Sequence, residues 1–387
     1  MSTTFCTFTY NDARLAQGLL ASIPEWTLQP DEVIVVDDGS DTAFTVEPSL
    51  AAVLPLRIIR FEENRGFSAA KSEGINTASG DIILAADCDA RVHPDYLKVC
   101  ARHLAQPEVG MVSGECLHLA GTDMLSRYLA LFGDNFQVSQ TGLVDYIPGL
   151  AFALRREVWQ ETGGFSGHTR AVCEDIALCR AIKSKGYALL MDKSIPVRQV
   201  RRLTRTAHCR RLWIWCGQPL VDGTEPSLSL PDQFLGLFVH PMLKRTAHIG
   251  EKQDPALVYY EVLYASYIAL ELCHALGQKG ILFPDAAKRF VTNLEQKLAP
   301  FPMLLRLLKS DLLQLGVLPP KQGSTPSADN STPLARECDW EDVFCFADIF
   351  TENKVFTWLN NTGVRLILEE DASLEADFSS YMHMKIE

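Results

Sequence analysis

The sequence predicts an α/β protein, with a mostly parallel sheet sandwiched by helices over residues 1–215 and a mainly helical extension after it. Three observations predict this. Short apolar runs alternate with segments of helical spacing, which is the pattern of βαβ units whose sheet is covered on both faces. Two of those runs end in acidic turns. After about residue 215 the alternation stops and only helical spacing continues.

The elements follow in order. Phe5–Tyr10 reads as a strand, and Asn11 or Asp12 is placed to cap a helix running to about Ser22. Glu32–Val36 is a short apolar strand that delivers Asp37-Asp38-Gly39-Ser40 to a turn, and Leu56–Phe61 is another strand. Gly66–Thr77 has helical spacing and is stopped by Ser79-Gly80. Asp81–Ala86 is the next strand, ending at Asp87-Cys88-Asp89. Pro94–Leu104 forms a helix with proline in its first turn, and Val109–Gly114 a strand. Beyond 215, the segments Pro231–Leu243, Ala256–Leu276, Pro284–Leu298 and Met303–Leu315 read as helices. Residues 319–337, rich in Pro, Ser, Gly and Thr, form a linker, and 338–387 an acidic C-terminal segment. The region 216–318 is then the acceptor side of the molecule or an oligomer contact.

Composition excludes several classes. A formal charge of −12 argues against a general nucleic-acid binder, which needs a basic surface to displace phosphate counterions. Eleven cysteines, an odd number without Cys-x-x-Cys pairs or zinc spacing, fit a reducing cytoplasm better than a disulfide framework. The N-terminus runs straight into a strand with no signal-like pattern. The apolar stretch Ala256–Leu276 holds Glu261, Glu271 and His274, which suits a buried amphipathic helix more than a membrane span. No G-x-G-x-x-G opens the first helix, so a dinucleotide-binding dehydrogenase has no support. The position after the first strand, Thr9-Tyr10-Asn11-Asp12, lacks the glycines that a nucleotidyltransferase would place there.

The two acidic strand ends carry the chemistry. In open α/β sheets, ligands bind beyond the carboxyl ends of the strands. Two carboxylates at i and i+2 of an extended backbone face the same way, so Asp87 and Asp89 can serve one metal–phosphate ensemble. One Asp/Gly turn after a strand is ordinary; two in one sheet point to a site.

Asp37-Asp38-Gly39-Ser40, then Asn64-Arg65-Gly66-Phe67-Ser68-Ala69-Ala70-Lys71, then Ser79-Gly80-Asp81 through Asp87-Cys88-Asp89 together resemble family 2 inverting glycosyltransferases of the Rossmann-like GT-A fold. Pro148-Gly149, Arg155-Arg156, Gly163-Gly164-Phe165 and Glu174-Asp175 continue the resemblance in the same order, over about residues 3–205. The resemblance implies a nucleotide-sugar donor, with a UDP-sugar favoured, a Mg²⁺ or Mn²⁺ cofactor, and a sugar, lipid-linked or other hydroxyl acceptor. It assigns Thr9, Tyr10 and Asp38 to the nucleoside pocket and gives Lys71 a positive charge near the nucleotide. Asp87 is assigned to the ribose or a metal-bound water, Asp89 to the metal, and Asp175 to the general base. At a helix start, Asp175 also suits the helix dipole.

The chain departs from the family pattern where relatives place a metal-ligating His: counting puts Gln199 there, and His208 is the nearby substitute. No Gln-x-x-Arg-Trp follows, which removes processive polymer synthases. Arg198, Arg201, Arg202, Arg205, Arg210 and Arg211 cluster within fourteen residues, to hold the donor diphosphate, an anionic acceptor or a lipid headgroup, or as a solvated basic face balancing the acidic tail. The expected setting is cytoplasmic, with peripheral contact to the inner membrane face and a homo-oligomer both open. The alternative is a catalytically silent module of the same fold that binds nucleotide or a partner.

Overall fold

The structure is a computed structural model of the 387-residue chain. It describes residues 1–118, 121, 123–132, 138–165, 173–222, 245, 254, 256–279, 285–318, 357, 359–363, 365 and 367. These fall into two compact units, Met1–Ala120 with Leu129–Arg202, and Gly121–Tyr128 with Leu203–Ala376. The division comes after Arg202 where 215 was expected. The reason is local: the last strand ends at Gln199, and the Thr204 side chain already caps a helix by accepting from the Ala207 amide.

The first unit is built on a nine-stranded sheet. Its strands are β1 (Thr3–Thr9), β2 (Glu32–Asp37), β3 (Leu56–Arg60), β4 (Ile82–Asp87), β5 (Ala90–Val92), β6 (Val109–His118), β7 (Gly142–Val144), β8 (Ala151–Arg155) and β9 (Ala188–Gln199). They lie in the order β3-β2-β1-β4-β8-β6-β9-β5, with β7 beside β9. The pairs β1–β2, β2–β3, β1–β4 and β6–β9 are parallel. The remaining pairs, with β8 inserted between β4 and β6, are antiparallel. From β1 the chain winds outward through β2 to β3, then returns to the other side of β1 as β4. This reversal opens a crevice at the carboxyl ends of β1 and β4, the place where open sheets bind ligands.

Helices α1 (Ala13–Leu20) to α7 (Glu174–Ser184) precede the last long strand, the short α2 (Pro48–Ala51) and α5 (Met124–Phe132) among them, and both faces of the sheet are covered. Phe5, Val33, Val35, Leu84 and Ala86 pack on one side with α1 (Ala13–Leu20) and with α4 (Tyr96–Leu104), whose Tyr96 and Leu97 are fully buried. Cys6, Phe8, Ile34, Val36, Ile83 and Ala85 pack on the other with α3 (Phe67–Thr77), α6 (Arg156–Thr162) and α7 (Glu174–Ser184). Neighbouring residues of one strand thus enter two different cores, which is why these strands read as continuous apolar runs. Gly39 sits at φ +71°, and a Cβ there would lie 2.4 Å from the Glu63 carbonyl carbon. Only glycine lets the β2 turn approach the 63–66 loop this closely.

Boundaries differ modestly from expectation. β1 ends at Thr9 and leaves Tyr10 exposed, α4 starts at Tyr96 after the proline, and β6 runs on to His118. Strands β5, β7, β8 and β9 were not anticipated. β8 is Ala-Phe-Ala-Leu-Arg, a run of low strand propensity that becomes a strand because both its edges are paired inside the sheet.

The second unit is helical where described: α8 (Arg205–Leu212), a π-helical turn Trp213–Gly217, α9 (Gln218–Val221), α10 (Ala256–Gln278), α11 (Ala286–Leu298) and α12 (Pro302–Gln314). The expected helix Pro231–Leu243, the linker 319–337 and most of 338–387 lie outside the described residues. α10 is long and apolar enough to cross a membrane by length and composition, and 89% of its most apolar window is buried within the protein. Its buried polar groups are matched: Glu261 accepts from the Tyr128 hydroxyl at 2.7 Å and pairs with Arg245 at 2.6 Å. Asp311 of α12 takes both Arg205 (2.6 and 2.9 Å) and the Tyr259 hydroxyl (2.5 Å). Charges this deep persist only when paired and hydrogen-bonded.

Candidate active site

At the carboxyl end of β1, the chain turns through Asn11, a non-glycine residue at φ 55°. The Asn11 amide donates to Ser40 Oγ at 2.9 Å, and its side-chain oxygen accepts from the Asp41 amide, so the turns after β1 and β2 are tied together. Asp37 is fully buried, and although burial opposes ionisation, the Phe44 and Ser40 amides and the Arg60 guanidinium hold its carboxyl below the usual range. Asp38, also buried, accepts from the Arg65 amide at 2.7 Å and the Gly66 amide at 3.0 Å. Asp38 thus orders the loop that starts α3. Thr9 is buried with its hydroxyl unpartnered, and Tyr10 stands 45% exposed.

Lys71, on α3, is the centre of the site. Its ammonium has no exposure and lies 3.0 Å from the Gly149 carbonyl, 3.3 Å from Asp87 Oδ1 and 3.4 Å from Glu174 Oε1, with the Phe67 ring at 3.9 Å. Gly149 is shared. Its amide donates to Asp175 Oδ2 at 2.9 Å, so one residue links the Lys71–Asp87 side to Asp175. A Cβ at 149 would come within 3.2 Å of Lys71 Nζ and 3.4 Å of Asp175 Oδ2, so a larger residue would crowd the lysine head. Asp175 Oδ2 also accepts from the Tyr146 hydroxyl at 2.6 Å, and Oδ1 from the Ile176 amide at 2.8 Å in the first turn of α7. Burial first, then the Asp175 charge, pushes the Tyr146 phenol up, which keeps it a donor. The residue before α7, Cys173, sits at φ 68°, a strained conformation of the kind that gathers at functional sites.

The end of β4 holds Asp87, Cys88 and Asp89. Cys88 points into the core, so the two carboxylates fall on the other side. Burial pushes Asp87 up to about 7; Lys71 opposes the shift, while Asp89 and Glu174 add to it. Asp87 Oδ1 and Asp89 Oδ1 are buried without hydrogen-bond partners. Asp89 Oδ2 is held by Arg201 Nε at 2.8 Å and Gln199 Nε2 at 3.2 Å, and the Val200 amide donates to the Asp89 carbonyl at 2.8 Å. Arg201 also reaches Asp12 at 2.6 Å. Asp12 occupies the cap position of α1 but makes no side-chain capping bond, because its carboxylate takes the stronger charge-assisted partner.

The structure therefore brings Lys71, Asp87 and Asp175 together and places Asp89 beside them on the same strand end. His208 belongs to the helical unit, where its ring is buried against the Tyr260 hydroxyl. The arginine cluster divides: Arg201 goes to the carboxylates of β1 and β4, Arg205 to Asp311, and Arg211 over the Trp215 ring. The pairing of Arg201 with Asp12 and Asp89, the role of Tyr146 and the pairing of Glu174 were not foreseen from sequence. The alternation of Gln199 and Arg201, two residues apart at the end of β9, was the one available signal.

Asp87 also sets a pH dependence. Its folded value of about 7 lies above the ordinary carboxyl value of 3.8, so ionising it in the fold is unfavourable. The resulting cost is full above pH 7, declines as pH falls from about 7 to about 4, and is absent below. Asp87→Asn, which imitates the protonated form, is expected to melt higher than wild type at pH 8 in EDTA, with the gap closing toward pH 5. Thermal melts across that range measure it, and a gap independent of pH contradicts the assignment.

A mixed sheet with the switch point beside β4 and acidic ends on β2 and β4 is the GT-A architecture of glycosyltransferases. Residues 4–176 match the family model Glycosyl transferase family 2. It is 35% identical over 96 residues to the uncharacterized glycosyltransferase YwdF of Bacillus subtilis, covering 25% of this chain and 35% of that protein. It is 26% identical over 164 residues to a pre-mycofactocin glycosyltransferase of Mycobacterium tuberculosis, covering 41% and 35%. The chain thus spans about a third of the length of both relatives. A glucosyl-dolichyl phosphate glucuronosyltransferase of Haloferax volcanii is 22% identical over 318 residues, 75% of this chain and 98% of its own length. Among solved structures, a mannosyltransferase of Pyrobaculum calidifontis in complex with GDP-Man and Mn²⁺ superimposes with a TM-score of 0.42 at 20% identity, covering 81% and 87% of the two chains.

Proposed function

We propose that this chain transfers a sugar from a nucleotide-sugar, in the first instance a UDP-sugar, to an acceptor hydroxyl with inversion and without processive polymerisation. The observation that carries this reading is the Gly149 peptide, whose amide orients Asp175 while its carbonyl holds Lys71 against Asp87. A carboxylate placed to take a proton thus stands one residue away from the cation that braces the acidic strand end. Asp175, oriented by Tyr146 and Gly149, accepts the proton of the acceptor hydroxyl as its oxygen bonds to the anomeric carbon. The bond from that carbon to phosphate breaks in the same displacement, and its electron pair leaves with the nucleoside diphosphate.

Among the described residues no three His, Cys, Asp or Glu side chains gather as a metal cage. Two carboxylates suffice for Mg²⁺ or Mn²⁺, which commonly complete their shells with water and substrate phosphates. The buried Oδ1 of Asp89, which has no hydrogen-bond partner, and that of Asp87, which meets only the Lys71 ammonium at 3.3 Å, fit that role. When bound, the divalent ion neutralises the charge that develops on the leaving diphosphate. The name of the Haloferax relative supports a lipid-linked sugar as one acceptor class. A cytoplasmic setting is supported by eight cysteines that stand as free thiols.

The test is a panel of UDP-, GDP- and dTDP-sugars incubated with purified protein in Mn²⁺ or in EDTA. Release of one nucleoside diphosphate, raised by Mn²⁺, is expected, with the opposite anomeric configuration in the product by NMR. Tight nucleotide binding without turnover on any acceptor favours the silent module instead, and no binding under any metal condition ends the nucleotide-sugar reading.

A further inference from the structure

Arg201 is fixed more firmly than a surface arginine needs to be. Gln199 and Arg201, two residues apart at the end of β9, both donate to Asp89 Oδ2, and the Val200 amide between them holds the Asp89 carbonyl. Three consecutive residues of one strand end thus position a single aspartate. Arg201 then spans to Asp12 in the turn after β1, joining the two strand ends on either side of the crevice. Its Nη1 has no hydrogen-bond partner among the described residues, and the side chain is 30% exposed. Lys71 differs in every respect: it is fully buried, and Asp87, Glu174 and the Gly149 carbonyl surround its ammonium. Of the two cations at the Asp87–Asp89 strand end, Lys71 has its ammonium enclosed and Arg201 keeps a donor for an anion.

Asp89 is the other half of the argument. One of its oxygens takes two protein donors, and the second is buried with none, in a residue only 3% exposed. A carboxylate half satisfied by a guanidinium offers an incoming cation less charge than a bare one does. Gln199, standing where the resemblance places a metal-ligating His, has turned its amide nitrogen to the same aspartate.

We propose that Arg201 is a resident cation of the donor site, whose Nη1 binds the diphosphate of the nucleotide and whose ion pair with Asp89 weakens the grip of the divalent metal. Diphosphate binding then persists in part without metal. This rests on the nucleotide-sugar reading above. It predicts effects of opposite sign: loss of the Arg201 charge weakens metal-free diphosphate binding and tightens metal binding. An arginine that merely braced the loops would weaken both when lost.

The experiment uses the full chain with Arg201→Gln, which keeps a donor for Asp89, and Arg201→Lys, which keeps the charge, each checked for folding by thermal melting. UDP, GDP and inorganic pyrophosphate are titrated calorimetrically in EDTA, and Mn²⁺ binding is followed separately by electron paramagnetic resonance. In the Gln variant, metal-free binding of the preferred diphosphate is expected to weaken roughly 10- to 100-fold. Mn²⁺ binding is expected to tighten about 3- to 10-fold. The Lys variant is expected to stay close to wild type in both. Metal-free binding within about twofold of wild type in the Gln variant, weaker Mn²⁺ binding, or a Lys variant that behaves like the Gln variant overturns the inference while wild type still binds nucleotide. Failure of wild type itself to bind UDP, GDP or pyrophosphate even with Mn²⁺ overturns the nucleotide-sugar reading and this inference with it.

Discussion

Asp175→Asn is expected to lower kcat by roughly 100- to 10,000-fold, the usual contribution of a positioned general base. The substitution is nearly isosteric: the Asn oxygen can keep the Tyr146 and Gly149 donors, while the amide nitrogen replaces the oxygen that accepts from the Ile176 amide. What is lost is the lone pair that takes the acceptor proton. Donor affinity, measured by calorimetry with the nucleoside diphosphate, is expected to remain within a fewfold of wild type, because the Lys71–Asp87 side of Gly149 is untouched. A loss confined to kcat separates a base from a residue that only shapes the pocket. If the Asn variant keeps more than about a tenth of wild-type turnover, Asp175 is not the base and its role is to start α7.

Lys71→Met is expected to cost about 3–5 kcal/mol of stability, the cost of breaking a buried ion pair by removing one partner. Methionine fills the space beside Phe67 and Phe152, but it leaves Glu174 and Asp87 facing each other without the cation that lies 3.4 and 3.3 Å from them. Since burial already pushes Asp87 up to about 7, protonation relieves part of this cost at low pH, and the deficit is expected to be larger at pH 8 than at pH 5. Urea denaturation at the two pH values measures both parts. The double variant Lys71→Met/Asp87→Asn is expected to recover a substantial fraction, which a double-mutant cycle isolates. A cost below about 1 kcal/mol, equal at both pH values, means the Lys71 ammonium is solvated and not the centre of the site.

Much of the fold was legible because its strands and helices have local causes. The runs Glu32–Asp37 and Ile82–Asp87 are apolar on both faces and end in carboxylates, and these two facts already specify buried parallel strands with a site at their ends. The same local logic drew Asp87 and Asp89 from their strand end, while Lys71 and Asp175 came from the resemblance to family 2 glycosyltransferases. It could not see β8 or β9, whose Ala-rich and polar stretches become strands only because neighbours pair with them.

Partner choice was decided in three dimensions. Asp12 reads as a helix cap and serves as an arginine partner; Arg201 reads as one of six in a basic run and is singled out by contacts with residues 189 and 112 positions away. Asp38 reads as a ligand group and spends both oxygens on the amides of Arg65 and Gly66. The sequence by itself determined the α/β class, the acidic strand ends and the resemblance to family 2 glycosyltransferases, since these follow from short-range periodicity and ordered motifs. Only the tertiary structure decided which charges meet, because ion pairing at a few ångströms depends on how the switch point folds β1, β4 and β9 together, and the spacing of residues along a chain carries no record of that distance.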